Sequence, residues 1–137
     1  MAGLAGLLRP YRPEVVCGPL TGGAYLAQLV ALDLDAAFCW TTPPTYALAL
    51  AATVSGRRVA IVDDAVNAGA AVTATATALQ AAGATVVATA ALLTLGSAPT
   101  TLAAAPVLSL ETVPSALWPA ATCPRCAAGS PLDVPPS

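Results

Sequence analysis

The stretch Val59-Ala-Ile-Val-Asp-Asp-Ala-Val-Asn-Ala-Gly-Ala-Ala-Val72 carries most of the information about the fold. Its apolar first half is entered from Ser55-Gly56 and is typical of a strand buried on both faces of a parallel sheet. We predict this strand over Arg58 to Val62. Two adjacent acids, Asp63 and Asp64, follow directly, at the end of the strand where open α/β sheets bind ligands. The stretch therefore predicts an α/β domain with a ligand site that begins at the acid pair.

Small residues follow the acid pair and lead into a predicted helix over Ala70 to Ala82. Asn67 and Gly83 act as its start and stop signals, although the threonines between them also alternate as in a strand. A loop without bulky side chains lets backbone N–H groups and the positive end of a helix close around a phosphate. The acids could bind the vicinal hydroxyls of a sugar, cap a helix, remain solvated or hold Mg²⁺ as in receiver-type domains.

Apolar runs on both sides of this stretch alternate with helical segments, as in an α/β fold with a mostly parallel sheet. The other predicted elements are strand Glu14 to Cys17, helix Gly22 to Asp33, strand Ala36 to Trp40, strand Thr85 to Leu95, a short helix Pro99 to Ala104 and a last strand Val107 to Leu110. The segment Tyr46 to Val54 fits either a strand or a helical turn. We expect one domain over residues 1–112 and an irregular proline-rich tail over residues 113–137.

The composition excludes several classes of function. The chain has 137 residues, of which 57% are hydrophobic and 9% are charged, so it is not a disordered polyelectrolyte. Seven acids against five arginines, with no lysine or histidine, leave no basic stripe for a nucleic acid. Because the chain has no histidine and no lysine, catalysis by a histidine base or by a lysine Schiff base is also excluded. Any catalysis must rest on carboxylates, arginines, backbone amides or a metal ion.

Long uncharged segments raise the question of a membrane span. Residues Ala65 to Leu110 carry no charge, but alanine dominates them, and glycine, proline and threonine interrupt them. No window of about 20 residues is apolar enough to span a bilayer. The apolar N-terminus lacks the basic region that precedes a signal sequence. We expect a cytoplasmic protein that binds neither membrane nor nucleic acid.

The acid-pair segment resembles the phosphoribosyl pyrophosphate signature of the type I phosphoribosyltransferases. That signature consists of apolar residues, two acids and a Thr/Ala-Gly-rich phosphate loop. Here the match runs from Val62 to Gly69, with Asn67 where threonine is common and Ala70 where Thr, Ser or Gly is usual. A second segment, Val15 to Ala24, is similar to the family's pyrophosphate loop, which family members often hold with an unusual peptide conformation. The resemblance covers roughly residues 15–96 and is closest to orotate phosphoribosyltransferases and their uncharacterised relatives.

The resemblance implies a single-domain, Rossmann-like phosphoribosyltransferase fold and a role in pyrimidine nucleotide metabolism. It implies transfer of ribose 5-phosphate from phosphoribosyl pyrophosphate to a nucleobase such as orotate, with Mg²⁺ held mainly by the ligand and with a possible homodimer. Asp63 and Asp64 would be the catalytic pair that holds the ribose hydroxyls and stabilises the cationic sugar. The implied ribose 5-phosphate site is Asp63, Asp64, Ala65, Asn67, Ala68, Gly69, Ala70 and Ala71, and the implied pyrophosphate loop is Leu20, Thr21, Gly22 and Gly23.

A scarcity of cations supports an alternative, a non-catalytic module that binds phosphoribosyl pyrophosphate or a nucleotide. Orotate phosphoribosyltransferases carry a basic flexible loop ahead of the signature strand, whereas Trp40 to Ser55 contains no basic residue. Arg57 and Arg58 open the strand and are therefore about five residues, roughly 16 Å, from its ligand-binding end. Arg9 and Arg12 precede the first strand, where family members build a hood over the base. Arg9 and Arg12 therefore remain the candidates for a cation at the site, supplied by this chain or by a partner.

Cys123 and Cys126 form a second candidate site, because their spacing is that of half a zinc site. A closed structural zinc site needs four ligands. Cys17 and Cys39 fall in predicted strands, and the chain has no histidine. We therefore expect a reduced pair in a turn of the tail and no stoichiometric zinc. A zinc ion shared between two chains and a redox-active pair are the alternatives.

Overall fold

A computed structural model describes residues 2–133 of the chain. Its elements are α1 (Ala2–Leu8), β1 (Val15–Pro19), α2 (Gly22–Leu34), β2 (Ala37–Thr42), β3 (Ala47–Ala49), β4 (Arg58–Val66), α3 (Ala70–Ala81), β5 (Thr85–Leu95), β6 (Thr101–Leu102), β7 (Ala105–Val113) and α4 (Pro124–Ala127). Three short 3₁₀ turns lie at Arg9–Tyr11, Ala51–Thr53 and Ala120–Thr122.

The strands form one sheet in the order β3-β2-β1-β4-β5-β7-β6. The five inner strands, from β2 to β7, pair in parallel, and β3 and β6 are antiparallel at the two margins. The predicted α/β class with a mostly parallel sheet is therefore confirmed. Parallel strands all end at the same edge of a sheet, which we call the carboxyl edge, and all begin at the opposite amino edge. The segments that follow β1 and β4 consequently lie side by side.

Both faces of the sheet are covered, and β4 shows this most clearly. Val59 and Ile61 belong to the apolar cluster under α3, whereas Ala60 and Val62 belong to the cluster under α1 and α2. All four side chains are fully buried. An uninterrupted apolar run is what a strand between two helical layers requires.

Several predicted bounds agree with the structure, and some do not. The predicted strand Thr85 to Leu95 has the bounds of β5, and the predicted helices differ from α2 and α3 by one residue at their ends. The predicted strand Arg58 to Val62 continues to Val66, so the acid pair lies inside β4 rather than after it. The undecided segment Tyr46 to Val54 contains β3 and a 3₁₀ turn.

The predicted helix over Pro99 to Ala104 is wrong. This segment contains β6, which pairs with β7 in a hairpin closed by Ala103 and Ala104 at φ angles of 51° and 60°. Positive φ at both central residues fits the right-handed twist of a hairpin. Pairing with a neighbouring strand thus overrides the helical preference of alanine.

The segment after β7 contacts little of the domain. Apart from Cys123, whose exposure is intermediate, the residues from 114 to 133 are all exposed. Residues 134–137 of the predicted tail lie outside the described part of the chain. No helix among residues 2–133 is both long and apolar enough to cross a bilayer.

Candidate ligand site at the carboxyl edge

Two glycines after β1 lie directly against the acid pair of β4. A Cβ atom added to Gly22 would lie 2.5 Å from Asp64 Oδ2, and one added to Gly23 would lie 2.8 Å from Asp63 Oδ1. At Gly23 the Val62 carbonyl oxygen and the Pro19 ring also lie within 3 Å of the added atom, so only glycine permits that approach. At Gly22 a side chain would require the exposed Asp64 carboxylate to move. The structure therefore brings together the two segments that the sequence singled out.

Of the predicted loop Leu20 to Gly23, Leu20 and Thr21 form a turn and the two glycines already belong to the first turn of α2. The turn is held by its backbone. The Leu20 N–H donates to the carbonyl oxygen of Thr41 in β2 at 2.8 Å, and the peptide bond between Leu20 and Thr21 is cis. The Thr21 side chain is exposed and makes no capping bond to α2. Gly18 allows the chain to turn back, because an added Cβ atom would collide with the carbonyl group of Gly23.

The two acids occupy different environments. Asp63 is only 7% exposed, whereas Asp64 is exposed. Asp63 Oδ1 accepts the N–H of Asp64 at 2.9 Å, and Asp64 Oδ1 accepts the N–H of Ala65 at 2.8 Å. Burial raises the pKa of Asp63 to about 7, and the neighbouring Asp64 carboxylate adds to that rise. One carboxyl group is therefore close to half-protonated at neutral pH.

A cavity of about 320 Å³ opens beside Asp63 and is lined by residues 65–72. Gly69 ends the loop with a φ of 87° and precedes the first residue of α3. A Cβ atom there would lie 2.8 Å from Leu102 Cδ1, so both the backbone angle and the space require glycine. The first N–H groups of α3 have no acceptor within the helix. They are available to a ligand in this cavity.

Two residues that sequence reasoning missed contact the loop that precedes α3. Ser97 Oγ donates to Asn67 Oδ1 at 3.0 Å, and Leu102 packs against Gly69. Both belong to the region between β5 and β7 that we predicted to contain a helix. No periodicity in the sequence marks either residue, because Ser97 reaches the loop from the turn after β5 and Leu102 reaches it from the β6–β7 hairpin.

The arginines of the domain lie at the opposite edge. Arg9 is 3.7 Å from the Asp33 carboxylate at the end of α2, and Arg58 is 3.5 Å from Glu14 just before β1. Arg58 Nε also donates to the carbonyl oxygen of Arg12 at 3.0 Å. These contacts place the side chain of Arg9 and the backbone of Arg12 at the amino edge. In this chain these contacts hold the Arg9 side chain away from the acid pair, whereas the contact of Arg12 involves only its backbone.

Asp63 predicts a pH dependence of stability in the ligand-free protein. Its pKa is about 7 when folded, against an ordinary value of 3.8, so the folded state retains a proton that the unfolded state loses between these pH values. The free energy of unfolding should therefore fall from pH 5 to pH 8, by on the order of 2 kcal/mol. We expect the free energy of unfolding of Asp63→Asn, measured with urea, to depend little on pH over this range. The exposed neighbour provides the control, because Asp64→Asn should keep most of the dependence on pH, since burial of Asp63 is its largest cause. A dependence on pH unchanged in Asp63→Asn would contradict the burial effect.

The close approach at Gly23 predicts a strong effect of adding one methyl group. Gly23→Ala should lower the free energy of unfolding by about 1 to 3 kcal/mol, because Asp63 Oδ1, the Val62 carbonyl oxygen and the Pro19 ring all lie within 3 Å of the new atom. Gly6→Ala is the matched control in α1, where nothing lies within 4 Å of the added atom. Equal urea midpoints for the two variants would show that the loops are not in contact.

Comparison with known proteins finds similar solved structures but no match by sequence. No family model matches the chain, and no curated protein matches it by sequence. Solved structures that match include a purine phosphoribosyltransferase from Pyrococcus horikoshii Ot3, at 20% identity and a TM-score of 0.66 over 82% of this chain and 83% of that chain. An adenine phosphoribosyltransferase from Thermoanaerobacter pseudethanolicus matches at 22% identity and a TM-score of 0.70, over 82% and 77% of the two chains.

An orotate phosphoribosyltransferase from Aeropyrum pernix matches to a similar degree, at 23% identity and a TM-score of 0.64, over 82% of this chain and 71% of that chain. The chain therefore has the phosphoribosyltransferase fold, as the resemblance implied. Purine, adenine and orotate enzymes are about equally similar to it, so the comparison does not single out the orotate enzymes.

Proposed function

We propose that the chain binds phosphoribosyl pyrophosphate at the carboxyl edge and transfers its ribose 5-phosphate group to a nucleobase. The observation that carries this proposal is the contact of Gly22 and Gly23 with Asp64 and Asp63. It brings a glycine pair against the acid pair, and Asp63 of that pair also lines the cavity before α3. The shared fold of the phosphoribosyltransferases of known structure supports the same assignment.

The cavity beside Asp63 suits the 5-phosphate. Its walls are small residues from Ala65 to Val72, so a phosphate can approach the backbone closely. Unpaired N–H groups at the start of α3 and the positive end of that helix favour an anion there. Asn67 and the loop from Ala68 to Ala71 would hold the phosphate, while the Ser97 hydroxyl fixes the orientation of Asn67.

The acid pair suits the ribose. Asp64 is exposed and can accept hydrogen bonds from vicinal hydroxyl groups, and Asp63 borders the cavity from a buried position. In the reaction the bond between the anomeric carbon and the pyrophosphate oxygen breaks, and its electron pair leaves with pyrophosphate. A ring nitrogen of the base forms the new bond to that carbon. Carboxylates held nearby stabilise the positive charge that develops on the sugar.

The glycine loop suits the pyrophosphate. Leu20, Thr21, Gly22 and Gly23 offer backbone groups and one exposed hydroxyl beside the acids. Among residues 2–133, no three His, Cys, Asp or Glu side chains come together to hold a metal ion. Mg²⁺ prefers oxygen ligands, so the ion would be held mainly by the phosphate oxygens of the bound molecule. When bound, it would neutralise charge on the leaving group.

The position of the arginines supports a second candidate, a module that binds the sugar phosphate without rapid turnover. Arg9 and Arg58 are engaged at the amino edge, and Arg125 lies in the exposed segment after β7. A cation at the site would then come from that segment or from a second copy in a homodimer. We propose a cytoplasmic location, where thiols such as those of the four free cysteines are kept reduced. The proposed acceptor is a nucleobase, either orotate or a purine.

A melting experiment with a ligand series tests the proposal. In the presence of Mg²⁺, phosphoribosyl pyrophosphate should raise the melting temperature, since a ligand bound only by the folded state stabilises it. Ribose 5-phosphate and pyrophosphate alone should each give a smaller shift, because each fills half of the site. No shift with any of the three ligands would contradict the proposal.

A further inference from the structure

The exposed segment after β7 carries a pair of thiols that the proposed function does not use. Cys123 precedes α4 and Cys126 lies within it, so one turn of chain brings the two residues together. The Cys126 N–H donates to Cys123 Sγ at 3.4 Å. Cys126 is exposed and Cys123 is half-buried, so both are open to small reagents.

Their surroundings favour the charged form of the first thiol. The backbone N–H of Cys126 lowers the pKa of Cys123, and the Cys126 thiol and the Arg125 guanidinium act in the same direction. A thiolate is the species that attacks a disulfide, and it reacts only where it is accessible. Cys123 combines both conditions.

The second pair of cysteines has the opposite properties. Cys17 in β1 lies directly beside Cys39 in β2, and both are fully buried in the core under α3. The hydrogen bond with Cys39, and then burial, raise the pKa of Cys17. This pair should remain reduced and unreactive in the folded protein, and it serves as an internal control.

A metal ion explains the exposed pair less well. Within residues 2–133, no third Cys, Asp, Glu or His side chain joins the two thiols. Two ligands leave a tetrahedral zinc site half-filled. A zinc ion would need the same pair from a second copy of the chain.

We propose that Cys123 and Cys126 form a reversible redox pair that exchanges with a low-molecular-weight disulfide such as oxidised glutathione. The Cys123 thiolate attacks one sulfur of that disulfide, forms a mixed disulfide and releases one thiolate. Cys126, once deprotonated, attacks Cys123 Sγ and releases the second. The pair loses two electrons and two protons in total, and the external disulfide becomes two thiols.

The full-length protein provides a direct test, because Arg125 lies between the two cysteines. Reduced protein is incubated with oxidised glutathione, its remaining thiols are blocked, and it is then denatured and cut with trypsin after Arg125. The expected product is a Cys123 fragment still joined to the fragment that begins at Cys126, released by a reductant. Cys17 and Cys39 should carry the blocking group only if it is added after denaturation.

Single variants assign the order of the two steps. Cys126→Ser should stop at a mixed disulfide with glutathione on Cys123, formed about tenfold faster than the corresponding adduct in Cys123→Ser. The proposal is wrong if both exposed thiols remain free, or if the two adducts form at equal rates. It is also wrong if elemental analysis finds one zinc ion per two chains and removal of that zinc is needed before either thiol reacts.

Discussion

Asp63→Asn combined with Asp64→Asn should abolish the rise in melting temperature that phosphoribosyl pyrophosphate causes in the presence of Mg²⁺. An amide cannot replace a carboxylate as the acceptor for two sugar hydroxyls beside a cation, and the variant loses both carboxylates at once. At a ligand concentration of 100 times the dissociation constant, the stabilisation that disappears is about 2.7 kcal/mol. Thermal unfolding of the parent and the variant, each with and without ligand, measures this loss.

The control for this variant carries the same change of charge at the other edge. Asp33→Asn with Asp35→Asn alters two acids at the end of α2, where Asp35 has a φ of 53° that asparagine adopts readily. The Asp33 contact with Arg9 is exposed and contributes little to stability. This control should retain the full ligand shift. A double variant at Asp63 and Asp64 that remains folded and keeps the shift would refute the ribose assignment.

Turnover with orotate should be slow even though the sugar phosphate binds. Carboxylates, backbone amides and Mg²⁺ suffice to hold the ligand, but none of the arginines at the amino edge can reach the leaving pyrophosphate. Loss of a preorganised cation costs on the order of 10² to 10³ in rate. Release of pyrophosphate with orotate and with a panel of purine bases, compared with an authentic orotate enzyme, measures this deficit.

Two arginine variants locate any remaining cation. Arg9→Ala with Arg12→Ala should leave the rate unchanged, because the contacts of Arg9 and Arg58 place that region at the amino edge. Arg125→Ala should lower the residual rate if the exposed segment supplies the charge. Turnover as fast as that of the orotate enzyme, retained in both variants, would show that the site needs no arginine from this chain.

The central strand could be predicted from its uninterrupted apolar run, which is typical of a strand buried on both faces. The run from Val59 to Val62 alternates between two buried clusters, and only a strand covered on both faces accommodates that. The glycines at 22, 23 and 69 were also informative, since each marks a close approach that a side chain would prevent.

Other features depend on contacts that no local pattern encodes. The segment Pro99 to Ala104 has the composition of a helix, yet it pairs with β7 and packs Leu102 against Gly69. Asp63 and Asp64 are equivalent in the sequence, but the structure buries one and exposes the other. The positions of Arg9 and Arg12 followed from how the N-terminal segment packs beneath α2, which their place before β1 did not reveal.

The most direct test of the central claim is an amide chemical-shift titration of isotope-labelled protein with phosphoribosyl pyrophosphate and Mg²⁺. The account predicts that residues 20–23 and 63–71 shift together, with one dissociation constant, and that residues 9–14 at the amino edge do not shift. Perturbation of only one of the two loops, or of the amino edge instead, would contradict a single site formed by both.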